Sequence, residues 1–95
     1  MKSKVFCILP LKRFEEAGVV LPEALDFRFD EVLTEKEIIS ACQGVDFFLV
    51  PAAYPDITSR IIENIPTVCM IQPTGTGYNR IDIRSAARLG IPVAN

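Results

Sequence analysis

Three seven-residue stretches constrain this chain more than anything else in it. KVFCILP spans Lys4–Pro10, VDFFLVP spans Val45–Pro51 and TVCMIQP spans Thr67–Pro73. Each is largely apolar and each closes on proline. A short, nearly continuous apolar run is what a strand needs when helices cover both faces of its sheet. Proline has no N–H to give, so it stops a ladder where it stands. Between the runs lie segments with helical punctuation. Thr34 precedes EKEIISACQG, where threonine can cap a helix, Glu37 complete a capping box and Gly44 end it. Thr58–Asn64 reads as a short helix capped by Thr58 or Asp56 and stopped by Pro66. Asp82 can cap a helix over Ile83–Leu89, with Gly90 at its C′ position.

Two weaker strands complete the alternation. DFRFD, Asp26–Asp30, alternates apolar and polar as a half-exposed edge strand does. Ile91–Asn95 opens a fifth strand. Arg13–Leu25, interrupted by Gly18 and Pro22, accommodates a short helix, a loop and a second turn. Regular strand and helix alternation predicts an α/β, three-layer fold: a parallel sheet with helices on both faces. Five strands in this length match the flavodoxin-like order 2-1-3-4-5. A chain of 95 residues, 49% hydrophobic and 23% charged, suits one such domain, residues 1–95.

Composition then removes function classes. A net charge of −2 leaves no basic footprint for nucleic acid. No apolar run approaches the ~20 residues of a membrane span, and charge returns too early after Met1 for a signal-peptide core. Cys7, Cys42 and Cys69 form no cluster, and with no histidine in the chain a metal site is not expected. Unpaired cysteines in apolar runs fit a reducing, cytoplasmic setting. The missing histidine also removes the commonest acid–base group at neutral pH.

Ligands of such sheets sit beyond the carboxyl ends of the strands. Three loops lie there: Pro10–Lys12, Pro51–Asp56 and Pro73–Arg80. Neither of the first and third strands ends beside a carboxylate, which excludes a phosphate-accepting receiver. Leu9-Pro10-Leu11-Lys12 lacks the hydroxyls and glycines of a flavin-phosphate loop. Gly75-x-Gly77 is not a dinucleotide fingerprint, because Arg80 stands where the third glycine is required. Two readings of the glycines remain. In a plain turn they only supply positive φ, and the pattern by itself favours that. In an anion nest, N–H groups around Thr76, Gly77 and Tyr78 would receive a carboxylate. Tyr54 and Tyr78 flank the mouth. Arg84 and Arg88 lie four apart on one helix face, which fits a solvated face.

The run GTGYNRIDIRSAARLGIPVAN resembles the D-isomer-specific 2-hydroxyacid dehydrogenases, whose pattern is roughly G-x-G-[VY]-D-x-[IV]-D-[LI], a short Ala-rich helix, then R-G-I-x-V-x-N. The match falls on Gly75, Gly77, Tyr78, Ile81, Asp82, Ile83, Ala86, Ala87, Gly90, Ile91, Val93 and Asn95. VDFFLVPAAYPDIT followed by IPTVCMIQ extends the likeness upstream to Val45. Asn79 departs from the usual aspartate, and Leu89 from the charged residue that often precedes Arg/Lys-Gly. The resemblance implies the N-terminal part of a substrate domain. There Thr76, Gly77 and Tyr78 would hold a substrate carboxylate through backbone N–H groups, with Ala52 and Ala53 lining the same cleft.

It further implies that NAD or NADP and the catalytic arginine, glutamate and histidine belong to sequence after Asn95. This chain is then expected to bind no cofactor and to be inactive alone. Expected partners are a small 2-hydroxy or 2-keto acid, the nucleotide-binding domain and a second copy in a dimer. Two other classes stay open: a stand-alone carboxylate-binding or regulatory module, and a self-associating structural domain.

Overall fold

The computed structural model describes the chain apart from residues 1, 9–10, 19, 32–33, 52–55, 74–79 and 95. Eight elements alternate: β1 (Ser3–Cys7), α1 (Leu11–Glu16), β2 (Leu25–Phe29), α2 (Glu35–Ala41), β3 (Phe47–Val50), α3 (Ser59–Glu63), β4 (Met70–Pro73) and α4 (Ile83–Arg88). All strand pairs are parallel, in the order β2-β1-β3-β4. The expected alternation and strand order are therefore present. Of the three loops expected at the carboxyl ends, the first is shorter than predicted, because α1 already begins at Leu11 and takes in Lys12.

The fifth strand is a correction. Among the described residues the sheet has four strands, and the 91–94 segment meets β4 at one rung, Ile71 with Val93. There the Ile71 N–H donates to the Pro92 carbonyl at 3.0 Å and the Ala94 N–H donates to the Ile71 carbonyl at 3.0 Å. Alternate residues of a strand direct their N–H groups to the same neighbour. The next donor on this edge is therefore Pro73, which has none. The segment occupies the position foreseen for a fifth strand but cannot extend its ladder.

Strand alternation sorts the side chains. Phe6, Phe48, Val50 and Ile71 share one face and are fully buried, in one cluster with Ile38 and Ala41 of α2, Ile61 and Ile62 of α3 and Ala86 of α4. The Phe6 and Phe48 rings stack at 5.8 Å on the two central strands. Three helices thus lie side by side on this face, α2 against α3 and α3 against α4. The connection from β1 to β2 runs across the sheet in the opposite sense, so a right-handed crossover puts α1 on the other face. On that face Leu25, Phe27, Phe29, Phe47, Leu49 and Met70 are only half-buried.

Local chemistry sets the helix ends as expected. Thr34 and Glu37 form a reciprocal capping box on α2, and Gly44 adopts φ +77° beyond its end. Gly90, at φ +72°, does the same after α4. At the amino end of the sheet Asp46 joins three strands. Its carboxylate accepts from the Lys4 N–H at 2.8 Å. Its own N–H donates to the Lys4 carbonyl at 2.9 Å, and its carbonyl accepts from the Cys69 N–H at 2.8 Å.

The core makes two predictions. Replacing Phe48 with alanine removes a fully buried ring from a central strand and should cost about 3–5 kcal/mol of unfolding free energy, read from urea denaturation. Cys42 ends α2 inside the core, and burial pushes its thiol up from 9.0 to about 12, with the Arg28 charge pulling weakly the other way. The unfolded chain ionises first as pH rises, so the contribution is intact below pH 9.0 and is lost on the way to about 12. The slope approaches ~1.4 kcal/mol per pH unit in that window. Urea titrations at several alkaline pH values should show a flatter decline for Cys42→Ala than for the unmodified chain.

Candidate functional site

In a parallel α/β sheet the loops that can hold a ligand leave the carboxyl ends of the strands. Here the two longest of them follow β3 and β4, and they leave as neighbours, because Val50 is paired in register with Pro73. They also return as neighbours. Ile57 and Ile81 form an isolated parallel bridge, in which the Ile57 N–H donates to the Arg80 carbonyl at 2.7 Å and the Asp82 N–H donates to the Ile57 carbonyl at 2.9 Å. The described chain on either side of residues 52–55 is thus bonded to the described chain on either side of residues 74–79.

The sequence builds these returning ends twice on one plan. Asp56-Ile57-Thr58 and Arg80-Ile81-Asp82 both run as a charged residue, a buried isoleucine and a helix cap. The isoleucines enter the core and carry the bridge. The caps start α3 and α4: Thr58 Oγ1 accepts from the Ile61 N–H at 3.4 Å and Asp82 Oδ1 accepts from the Ser85 N–H at 3.1 Å. Thr58 rather than Asp56 caps α3. Thr58 Oγ1 also donates to Glu35 Oε2 at 2.6 Å, tying α3 to the start of α2. The charged residues face each other, with Arg80 and Asp56 paired at 2.9 Å and both more than half exposed. A hollow of about 660 Å³ is lined by Asp56–Ser59 and Arg80–Asp82, within the ordinary range of ligand clefts.

Thr76, Gly77, Tyr78, Ala52 and Ala53, the residues expected to bind substrate, lie outside the described residues, as does Tyr54. What the structure brings together is the described chain on either side of them. Arg80 and Asp56 were legible only as a missing glycine and a possible cap. Their signal was the matched pair of triplets, with opposite charges at the same place in each. Arg84 is exposed, while Arg88 reaches Glu63 of α3 at 3.5 Å.

Among the described residues no three acidic, cysteine or histidine side chains gather as a metal site. Cys42, held as a neutral thiol by burial, is no nucleophile near neutral pH. The glycine pattern itself is not that of a dinucleotide fingerprint. The position that would need a glycine for close helix and strand packing carries Arg80, whose carbonyl is committed to the bridge. No helix among the described residues is long and apolar enough to cross a membrane.

Comparison with known proteins agrees with this geometry. The family model "D-isomer specific 2-hydroxyacid dehydrogenase, catalytic domain" matches residues 8–95. Among solved structures, a Polaromonas protein assigned as a D-isomer specific 2-hydroxyacid dehydrogenase, NAD-binding, is 30% identical with a TM-score of 0.81, covering 98% of this chain and 30% of that one. The NAD+-bound 3-phosphoglycerate dehydrogenase of Entamoeba histolytica shares the fold at 22% identity and a TM-score of 0.78, covering 100% of this chain and 33% of that one. The D-lactate dehydrogenase of Escherichia coli does so at 22% identity and 0.71, covering 98% and 30%. A search of curated protein sequences gave no match. The chain spans about a third of the length of the structures it matches. By the match over residues 8–95, it belongs to the D-isomer specific 2-hydroxyacid dehydrogenase family, in the part that forms the catalytic domain.

Proposed function

We propose that this chain is the substrate-binding domain of an NAD- or NADP-dependent oxidoreductase that interconverts D-2-hydroxy acids and 2-keto acids. The observation that carries the reading is the pairing of the described chain on either side of residues 52–55 and 74–79, Val50 with Pro73 and Ile57 with Ile81, in a member of this family. In the proposal the N–H groups of Thr76, Gly77 and Tyr78 receive the substrate carboxylate, and Ala52 and Ala53 form the opposite wall. Two charge-assisted hydrogen bonds of about 1.5–3 kcal/mol each, less the cost of association, give affinity of roughly millimolar order. The chain has no histidine and its glycine loop does not suit a dinucleotide. Cofactor and acid–base groups therefore come from a further domain of a longer polypeptide, and this chain by itself orients the acid without reducing it.

Titration with oxalate, followed by amide NMR, tests this directly. The amides of Thr76–Tyr78 should move at millimolar oxalate and leave the amino end of the sheet unchanged. No movement at tens of millimolar would end the carboxylate reading.

A second reading, self-association, is favoured by the half-buried row of Leu25, Phe27, Phe29, Phe47, Leu49 and Met70. Sedimentation velocity at about 0.2 mM should then show a dimer, and a single monomeric boundary there would rule this reading out.

A further inference from the structure

We infer that the outer edge of β2 is a pairing edge for a second copy of this chain, joined antiparallel about Phe27 so that Asp26 of each copy faces Arg28 of the other. The inference deepens the self-association reading, and rests on it, by naming the edge and the register. β2 is the outer strand of the sheet, and among the described residues no segment pairs with its far side. The opposite edge differs, since the 91–94 segment already meets β4 there. β2 is also regular. Leu25–Phe29 pair with Ser3–Cys7 without a bulge, and no proline or lysine stands among them. Bulges, prolines and lysines are the devices that ordinarily blunt an edge. The Asp30 N–H donates to the Cys7 carbonyl at 3.0 Å. Alternate residues direct their N–H groups to the same neighbour, so Arg28 also faces β1 and Phe27 presents its N–H and carbonyl outward.

Side-chain charge fixes the register. Asp26 and Arg28 are exposed and stand on the Phe6 face, where the Arg28 guanidinium lies 5.8 Å from the centre of the Phe6 ring. On the other face Leu25, Phe27 and Phe29 are half-buried, with the Phe27 and Phe29 rings stacked at 5.8 Å. Antiparallel pairing centred on Arg28 sets Arg28 against Arg28 and Asp26 against Asp30. Centred on Asp26, it sets Asp26 against Asp26. Centred on Phe29, it matches charges but leaves Leu25–Phe27 opposite residues beyond the end of β2. Only the strand's midpoint, Phe27, sets Asp26 against Arg28 on both sides, Phe27 against Phe27 and Leu25 against Phe29. Opposite charges directly across a pair favour it and like charges oppose it. Charges on an edge strand usually keep copies apart, but the alternation here admits one register and rejects those beside it. At the centre each Phe27 N–H donates to the Phe27 carbonyl of the other copy, and Asp26 and Arg28 fall in the closer, non-hydrogen-bonded pairs. The two sheets continue as one, and Leu25, Phe27 and Phe29 of both copies meet across the seam.

The test uses the 95-residue chain unmodified, with Asp26→Arg, with Arg28→Asp, and with these two variants mixed. Urea denaturation checks that each variant folds. An interface this small comes apart on dilution, so sedimentation velocity at about 0.2 mM should show the unmodified chain as a dimer and at about 5 µM as a monomer. Either variant alone sets like charges across the seam. Its pairing should weaken about ten-fold, leaving mostly monomer at both concentrations. The mixture should dimerise at about 0.2 mM, since each variant supplies the charge that the other lacks. Amide exchange gives a readout that needs no variant: in the unmodified chain Phe27 should exchange about two-fold or more slowly at the higher concentration, with Arg28 indifferent to dilution. A monomeric unmodified chain at the higher concentration overturns the self-association reading and the pairing edge with it. A dimer that either variant leaves unchanged, or variants that stay monomeric when mixed, overturn the β2 register alone. Where a variant does not fold, exchange at Phe27 that ignores dilution overturns that register as well.

Discussion

Burial of one face of the sheet against three helices is the constraint from which the rest of the molecule follows. Phe6 and Phe48 stack on the central strands, and Ile38, Ile61, Ile62 and Ala86 reach them from α2, α3 and α4. Because those three helices share a face, the connections from β2 onward all step across the sheet in one direction. The loops after β3 and β4 are then neighbours at one end. Their proximity is not a separate contrivance of the site. It is what remains once the apolar runs have been paired in parallel and covered.

Much of this was legible in the residues. Caps and helix stops are local devices, so Thr34 with Glu37, Thr58, Asp82, Gly44 and Gly90 declared themselves at short range. The buried strands did too, although β3 and β4 are shorter than the apolar runs that contain them. In both cases the leading residues, such as Val45 and Val68, pack into the core before the ladder begins. The fifth strand failed for a reason no local pattern contains. Whether the pairing of residues 91–94 continues past the Ile71 rung depends on a donor in a different segment, and that residue is Pro73. The Asp56 and Arg80 pair joins positions 24 apart that only the bridge of Ile57 with Ile81 brings together, so neither residue signals it alone. The residues of the glycine loop itself rest on family membership and on the pattern of the sequence.

The two ends of the sheet are secured in different ways. At the amino end Asp46 draws β1, β3 and the approach to β4 together through its carboxylate, its N–H and its carbonyl, and Thr67 Oγ1 adds a bond to the Val45 carbonyl at 2.8 Å. At the carboxyl end Pro73 denies a donor, and among the described residues the Ile57–Ile81 bridge and the exposed Asp56–Arg80 pair join the starts of α3 and α4. The amino end is joined by several short hydrogen bonds, and an exposed ion pair lies beside the hollow at the other end.

The double bracketing of residues 52–55 and 74–79 has a consequence for how such a protein diversifies. A loop whose two ends are pinned to the scaffold is insulated from it. Residues can be added, removed or exchanged between the pins, and neither strand register nor helix start has to change. Lengthening is cheap as well, since doubling a flexible loop costs only about 0.6 kcal/mol in closure entropy. Rewriting the positions between the pins would leave the framework unaltered.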